Sequence, residues 1–223
     1  MQDYLKAIHS LDGAEQVVSP LAIAARLRVR APSVTGMLRR LADAGWIEYE
    51  PGAGARLTPQ GIAEARRVIR RHRLVELFLT RVLGLDWSEV DVEAEALEHA
   101  ISPRLEQALA THLGEPLEDP HGHPIPTREG VIAPRHLLPL NSFRAGQRVL
   151  IREVKDDSPE RLRRWQALGL VPGATVALLR HQPLDDLFEI QVGDCVVPLG
   201  SEGLAGLLGE LVGNEPGPTE ERE

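Results

Sequence analysis

Three residues in the stretch EALEHAIS carry the most specific chemistry of this 223-residue chain: Glu95, Glu98 and His99. At i, i+3 and i+4 they leave one face of a helix together, two carboxylates and an imidazole aimed the same way. His72 and Glu76, at i and i+4 in an earlier segment, do the same. Two antiparallel helices bearing such sets can build a divalent-cation site between them, as carboxylate-bridged bundles do. Asp3, near the start of the first helix, could complete it. The donors are oxygen and imidazole nitrogen without sulfur, which suits Mn2+ or Fe2+ better than a structural zinc. The competing interpretation is an ion-paired surface, because Arg70, Arg71 and Arg73 lie close by and acidic helices are common.

A second constellation is basic. Arg26, Arg28, Arg30, Arg39 and Arg40 fall in a stretch without a single acid, although the formal net charge of the whole chain is −8. A polyanion responds to local clustering rather than to net charge. The stretch also holds small residues and short donors where a recognition helix needs them: Arg30, Pro32, Ser33, Thr35 and Gly36. Gly36 and Ala31 let the backbone approach a groove, and Ser33 and Thr35 can donate to phosphates or base edges. Arg28, Arg39 and Arg40 are candidate phosphate clamps, and Arg56 could reach a phosphate or the minor groove.

The elements that must position these residues are legible from periodicity and punctuation. Leu5, Ile8 and Leu11 sit at helical spacing up to Asp12-Gly13. Ser19-Pro20 reads as a cap followed by proline at the first helical position. A short helix through Ile23 and Leu27 follows, and a second begins near Pro32-Ser33, turns Val34, Met37, Leu38 and Leu41 inward, and ends at Gly45. Together they make a helix-turn-helix. WIEYEPGAGARLT then reads as a hairpin, in other words a wing. Thr58-Pro59 opens a long helix to about Leu83, with two more expected over about 90–100 and 103–113. The segment after Gly114 is rich in proline, polar and broken, and is expected to be a linker. From Phe143, QRVLIREV, ATVALLRH, LFEIQVGD and CVVPLG alternate with glycine turns around a helical patch near 162–168, which predicts a small β-barrel.

Bulk properties narrow the function classes. One cysteine, Cys195, excludes an internal disulfide framework and a thiolate cage; amid VVPL it is expected to be a small core residue. No apolar run approaches the ~18 residues of a membrane span, and Met1–Ser10 reads as an amphipathic helix rather than a leader, so a cytoplasmic setting is expected. A metalloenzyme finds no support from a nucleophile or oxyanion constellation. His9, His112, His136 and His181 read as surface or packing residues.

The order of these parts resembles the diphtheria toxin repressor family, most closely its manganese-responsive branch. The matching residues are MQDYLKAI, APSVTGMLRRLADAGWIEYE, LTPQGIAEARRVIRRHRLVELFL, VEAEALEHAIS and DPHGHPIP. LGLVPGATVAL and FEIQVGD are similar to the SH3-like barrel shared with ferrous-iron transport accessory proteins. The resemblance implies a mainly α chain with small β parts. These would be a winged helix-turn-helix DNA-binding domain (1–60), a helical metal-binding and dimerisation domain (61–114), a linker (115–142), an SH3-like FeoA-type domain (143–213) and a disordered acidic tail (214–223).

It further implies a primary metal site of Asp3, Glu95, Glu98 and His99, and an ancillary one of His72, Glu76, His121 and Asp119. The barrel would add ligands at Asp157 and Glu160, and Asp91 is a weaker candidate. Iron-type members carry methionine and cysteine where Asp3 and Glu95 stand, so Mn2+ is the expected cofactor, with Fe2+ as the alternative. Short members place a glutamate where this chain has Lys6, which argues for two separate sites rather than a bridged pair. The function implied is a repressor that binds operator DNA as a metal-ordered homodimer, with neither membrane nor small-molecule substrate. The alternatives are an Fe2+-responsive regulator, a winged-helix regulator that senses no metal, and a transport accessory protein.

Overall fold

The computed structural model describes residues 1–155 and 158–214; Asp157 and the expected tail beyond Asn214 lie outside the described residues. The first unit is built from α1 (Gln2–Ser10), α2 (Pro20–Arg26), α3 (Ala31–Asp43) and the hairpin β1 (Ile47–Glu50) and β2 (Gly54–Leu57). Leu5 and Ile8 of α1, Ile23 of α2, Val34, Leu38 and Leu41 of α3, and Ile47 and Leu57 of the hairpin close one core. The α2–α3 turn passes through Arg28 in a left-handed conformation at φ 54°. Ser19 caps α2 by accepting from Ala22 N at 3.2 Å, as the Ser-Pro signal requires.

Backbone hydrogen bonds tie the wing to the start of the chain. Val18 and Ala55 exchange them at 2.8 and 2.9 Å, and Leu57 N donates to Gly13 O at 2.8 Å. Thr58 holds the far side: it accepts from Gly61 N at 3.1 Å, and its hydroxyl donates to Gly45 O at 2.8 Å. Gly61 could carry no side chain, since a Cβ there would stand 1.9 Å from Trp46 O.

The long α4 (Pro59–Arg81) leaves this unit and packs along α5 (Val90–Glu98) and α6 (Pro103–His112). Its Ala65 belongs to the first core, whereas Val75 and Leu79 pack with Val90, Ala94 and Leu109. Leu74 and Leu77 are buried against Ala110 and Ile125. Leu97 and Val92 of α5, Leu105 of α6, and Leu83 and Leu85 after α4 remain exposed.

The third unit is a six-stranded antiparallel sheet of order β3-β8-β4-β5-β6-β7. Its strands are β3 (Leu138–Pro139), β4 (Gln147–Val154), β5 (Thr175–Gln182), β6 (Leu187–Val192), β7 (Cys195–Leu199) and β8 (Leu207–Asn214). Bulges in β4 and β5 bend it around Val149, Ile151, Phe188 and Trp165, with α7 (Pro159–Ala167) and α8 (Ser201–Leu204) closing the core.

Two expectations change here. The proline-rich segment is not an open connection. Asp119, His121 and Ile125 are buried, Leu140 belongs to the barrel core, and β3 pairs with β8 before Phe143 is reached. The irregular backbone is satisfied from α4, where Arg70 donates to Pro126 O and Arg73 to Pro124 O. Cys195 is exposed rather than buried: its strand lies at the end of the sheet order, and of CVVPL only Leu199 is fully turned inward.

Candidate metal centre and nucleic-acid interface

Asp3 on α1 meets Glu95, Glu98 and His99 at the end of α5, with one ligand atom from each lying within 4.8 Å of all the others. This joins the first unit to the helical one. The local chemistry is set from behind. Gln2 Nε2 donates to Glu64 Oε1 at 2.9 Å, which turns its carbonyl oxygen to His99 Nδ1 at 3.0 Å. The Gln2 carbonyl oxygen can only accept, so it holds His99 Nδ1 as a donor and leaves Nε2 facing Asp3. That nitrogen stands 2.7 Å from Asp3 Oδ1, yet Asp3 Oδ1 is a buried oxygen without a hydrogen-bond partner. A buried carboxylate oxygen without a hydrogen-bond partner, beside an imidazole nitrogen and two further carboxylates, is donor chemistry that fits a divalent cation. Ligand imidazoles are commonly held in this way by a carboxylate or carbonyl on the other nitrogen.

A second cluster lies behind the first, formed by His72 and Glu76 of α4 and Asp91 of α5. His72 Nε2 is 3.3 Å from Asp91 Oδ1 and 3.6 Å from Glu76 Oε1. Its Nδ1 is 2.6 Å from Glu98 Oε2, so Glu98, wholly buried, faces both clusters. His121 enters from the DPHG loop with Nδ1 3.5 Å from Glu76 Oε1, while its Nε2 donates to Trp87 O at 2.9 Å. Burial pulls the His72 pKa down, but Asp91, Glu76 and Glu98 more than reverse this and hold it well above 6.5. His121 is likewise raised: burial opposes protonation and Glu76 prevails. Burial pushes Glu76 up, and the two imidazoles outweigh it and hold the carboxyl far below its usual range. Lys6 stands between the two clusters, on Glu95 and Glu98.

Asp119 was expected beside His72 and Glu76, but it groups with His121 and His123 instead. Its Oδ1 accepts the backbone N–H of His121 (2.8 Å) and His123 (2.9 Å), and Oδ2 faces His123 Nδ1 (3.0 Å) and Arg73 Nε (3.5 Å). Asp119 thus shapes the loop that delivers His121. Glu160 lies exposed on the first turn of α7, in none of the clusters among the described residues. The barrel comes near through Glu153 of β4, buried and 4.0 Å from His123 Nε2. Sequence reasoning passed over His123 and Glu153. His123 carried a signal, two residues from His121 in one turn; Glu153 carried none, since its proximity arises only when β4 packs on the loop. Arg70 and Arg71, the sequence-adjacent cations offered as ion-pair partners, bind Glu106 and leave the clusters alone.

At the other end of the first unit, Arg28, Arg30, Pro32, Ser33, Gly36, Arg39 and Arg40 are exposed along the turn and α3, Thr35 is half-buried, and Arg56 is exposed on β2. Ser33 Oγ donates to Arg30 O at 2.7 Å, tightening the first turn of α3. A Cβ at Gly36 would meet nothing within 4 Å.

A winged helix-turn-helix joined through a carboxylate–imidazole cluster to a helical unit and a small barrel defines a class, the metal-dependent transcriptional repressors. Residues 1–55 match "Iron dependent repressor, N-terminal DNA binding domain", residues 58–127 "Iron dependent repressor, metal binding and dimerisation domain", and residues 138–206 "FeoA domain". The chain is 33% identical over 190 residues to the iron-dependent repressor IdeR of Mycobacterium leprae, covering 78% of this chain and 81% of that one. A manganese-dependent transcriptional repressor in complex with manganese superposes at a TM-score of 0.86 with 32% identity, over 95% of this chain and 99% of that one. IdeR of T. acidophilum superposes at 0.75 with 26% identity, over 94% and 97%. The chain belongs to the diphtheria toxin repressor family, whose members are DNA-binding transcriptional repressors and not enzymes. No helix among the described residues is long and apolar enough to cross a membrane.

Proposed function

We propose that this chain is a Mn2+-responsive repressor that binds operator DNA as a homodimer in the cytoplasm, with Asp3, Glu95, Glu98 and His99 as the primary metal ligands. The observation that carries this is the meeting of Asp3, from the DNA-binding unit, with three donors of α5. A bound divalent ion supplies the positive charge that lets these acids share one space. Asp3 then anchors α1, and α1 shares its core with α3 and the wing. Two recognition helices must enter grooves about 34 Å apart, so a fixed α1 limits where α3 can point. The donor set is free of sulfur, which supports Mn2+ over Fe2+; the iron-dependent relatives favour Fe2+ as the second reading.

His72, Glu76, Asp91 and His121 are proposed as an ancillary site. Residues 1–60 are proposed to dock on DNA and residues 61–114 to dimerise, with exposed Val92, Leu97 and Leu105 as apolar contacts. The test is DNA binding at fixed salt with Mn2+, Fe2+, Zn2+ or chelator, using DNA from upstream of metal-uptake genes. Mn2+ should tighten binding by roughly 5- to 150-fold, an ordinary coupling between two sites, and Glu98→Ala should remove the stimulation while the circular dichroism stays native. Equal affinity with Mn2+ and with chelator refutes the sensor.

A further inference from the structure

Lys6 stands one helical turn after Asp3 on α1, and its ammonium is turned inward, into the acids that are proposed to hold the metal. Its Nζ donates to both oxygens of Glu98 at 3.0 Å each and to Glu95 Oε2, and lies 3.4 Å from His72 Nδ1. The Glu98 side of the contact is enclosed, with the Lys6 side chain 21% exposed and that of Glu98 0%, whereas Glu95 is 45% exposed. Two of the four primary ligands are therefore already occupied by a cation tethered to the helix that bears Asp3. A lysine ammonium is a compact point charge with three donors and no acceptor. It can neutralise carboxylates but cannot share their lone pairs with a metal.

Without Lys6, three carboxylates would face one another across the α1–α5 junction with only imidazoles to offset them. With it, α1 rests on α5 through Lys6, while Asp3 Oδ1, without a hydrogen-bond partner, is left for a metal to fix.

We propose that Lys6 is a built-in competitor for the metal: its ammonium neutralises Glu95 and Glu98 and pins α1 to α5 in the metal-free chain, and metal capture displaces it. This rests on the metal-sensor reading above and adds to it a residue that sets the concentration at which the sensor responds. Removing the competitor raises affinity for the metal and loosens the metal-free junction, so the two effects have opposite signs.

The test uses the full-length chain with Mn2+ alone as probe. Calorimetric titration at fixed pH and salt is compared for wild type, Lys6→Gln and Lys6→Arg, and melting is followed in chelator. Lys6→Gln should bind Mn2+ about tenfold more tightly, well within ordinary site–site coupling, and melt several degrees lower in chelator. Lys6→Arg keeps the charge in a fork that matches a carboxylate. It should melt like wild type in chelator and bind Mn2+ a few-fold more weakly, a result that stands even if Lys6→Gln fails to fold without metal. Unchanged or weaker Mn2+ binding by folded Lys6→Gln, or unchanged or tighter binding by Lys6→Arg, overturns the competitor role and leaves the sensor intact. Absence of Mn2+ binding to folded wild type overturns both.

Discussion

Gln2 shows how a residue that is not itself a ligand candidate can control one. Its amide is oriented by Glu64 and in turn fixes which nitrogen of His99 faces Asp3. Gln2→Leu should weaken Mn2+ binding by about 10- to 100-fold, the usual effect of losing such support, with every ligand retained; titration of the folded variant checks it. His9, one helical turn beyond Leu5, behaves differently. Burial, with Arg66 and Arg73 nearby, lowers its pKa to about 4 from the usual 6.5, and its Nε2 lies 3.4 Å from Arg66 Nε. Between those values the unfolded chain binds more protons at this position, so the His9 contribution is intact above pH 6.5 and is lost as pH falls toward 4. The melting temperature of wild type should therefore fall more steeply than that of His9→Gln over that window. At this scale the sequence exposed Glu95, Glu98 and His99 because all three obey one helical period. Asp91 obeys it too, four residues before Glu95, but a single carboxylate on an acidic helix is ordinary and carries little signal by itself. His123 and Glu153 become neighbours only through packing.

Among the elements, α3 is where local stability and the proposed DNA contact meet. Gly36 is exposed and a Cβ there meets nothing. Gly36→Ala should thus stabilise the free protein by about 0.5–1 kcal/mol, the ordinary gain from glycine to alanine inside a helix, while weakening DNA binding if this turn lies against the groove. A higher melting midpoint together with a lower affinity in gel-shift assays would separate the two effects. Arg39→Ala should weaken binding to unrelated DNA sequences alike and lower the slope of log affinity on log salt by about one; loss confined to one sequence would argue against a phosphate contact. The helices were readable because their ends carry strong punctuation, Ser19-Pro20 and Thr58-Pro59 among them, and the hairpin because its glycines stand where a turn needs them. The stretch around Asp119 was not readable, because proline and glycine announce irregular backbone without saying what satisfies it. Arg70 and Arg73 do so, and neither announces it in the sequence.

Across the whole molecule, the barrel is joined to the second cluster by backbone. Val154 N donates to His121 O at 2.9 Å, Trp87 stacks on His121 with ring centroids 5.2 Å apart, and Trp87 Nε1 donates to Gln166 Oε1 at 2.8 Å. Gly122 permits this approach: at φ +83° its added Cβ would stand 1.9 Å from Arg152 O. Gly122→Ala should force the DPHG loop off β4 and accelerate tryptic cleavage at Arg128 and Arg135, with the helices retaining their circular dichroism. The existence of the barrel was legible from strand alternation, but its seat beside the second carboxylate–imidazole cluster was not, because contacts between distant segments leave no periodic trace. The bridges from Val18 to Ala55 and from Leu57 to Gly13 have a mechanical result as well. They tie the segments either side of α2 to the wing, and the common core adds α1 and α3, so a shift of α1 beside Asp3 should carry the arginines of α3 with it.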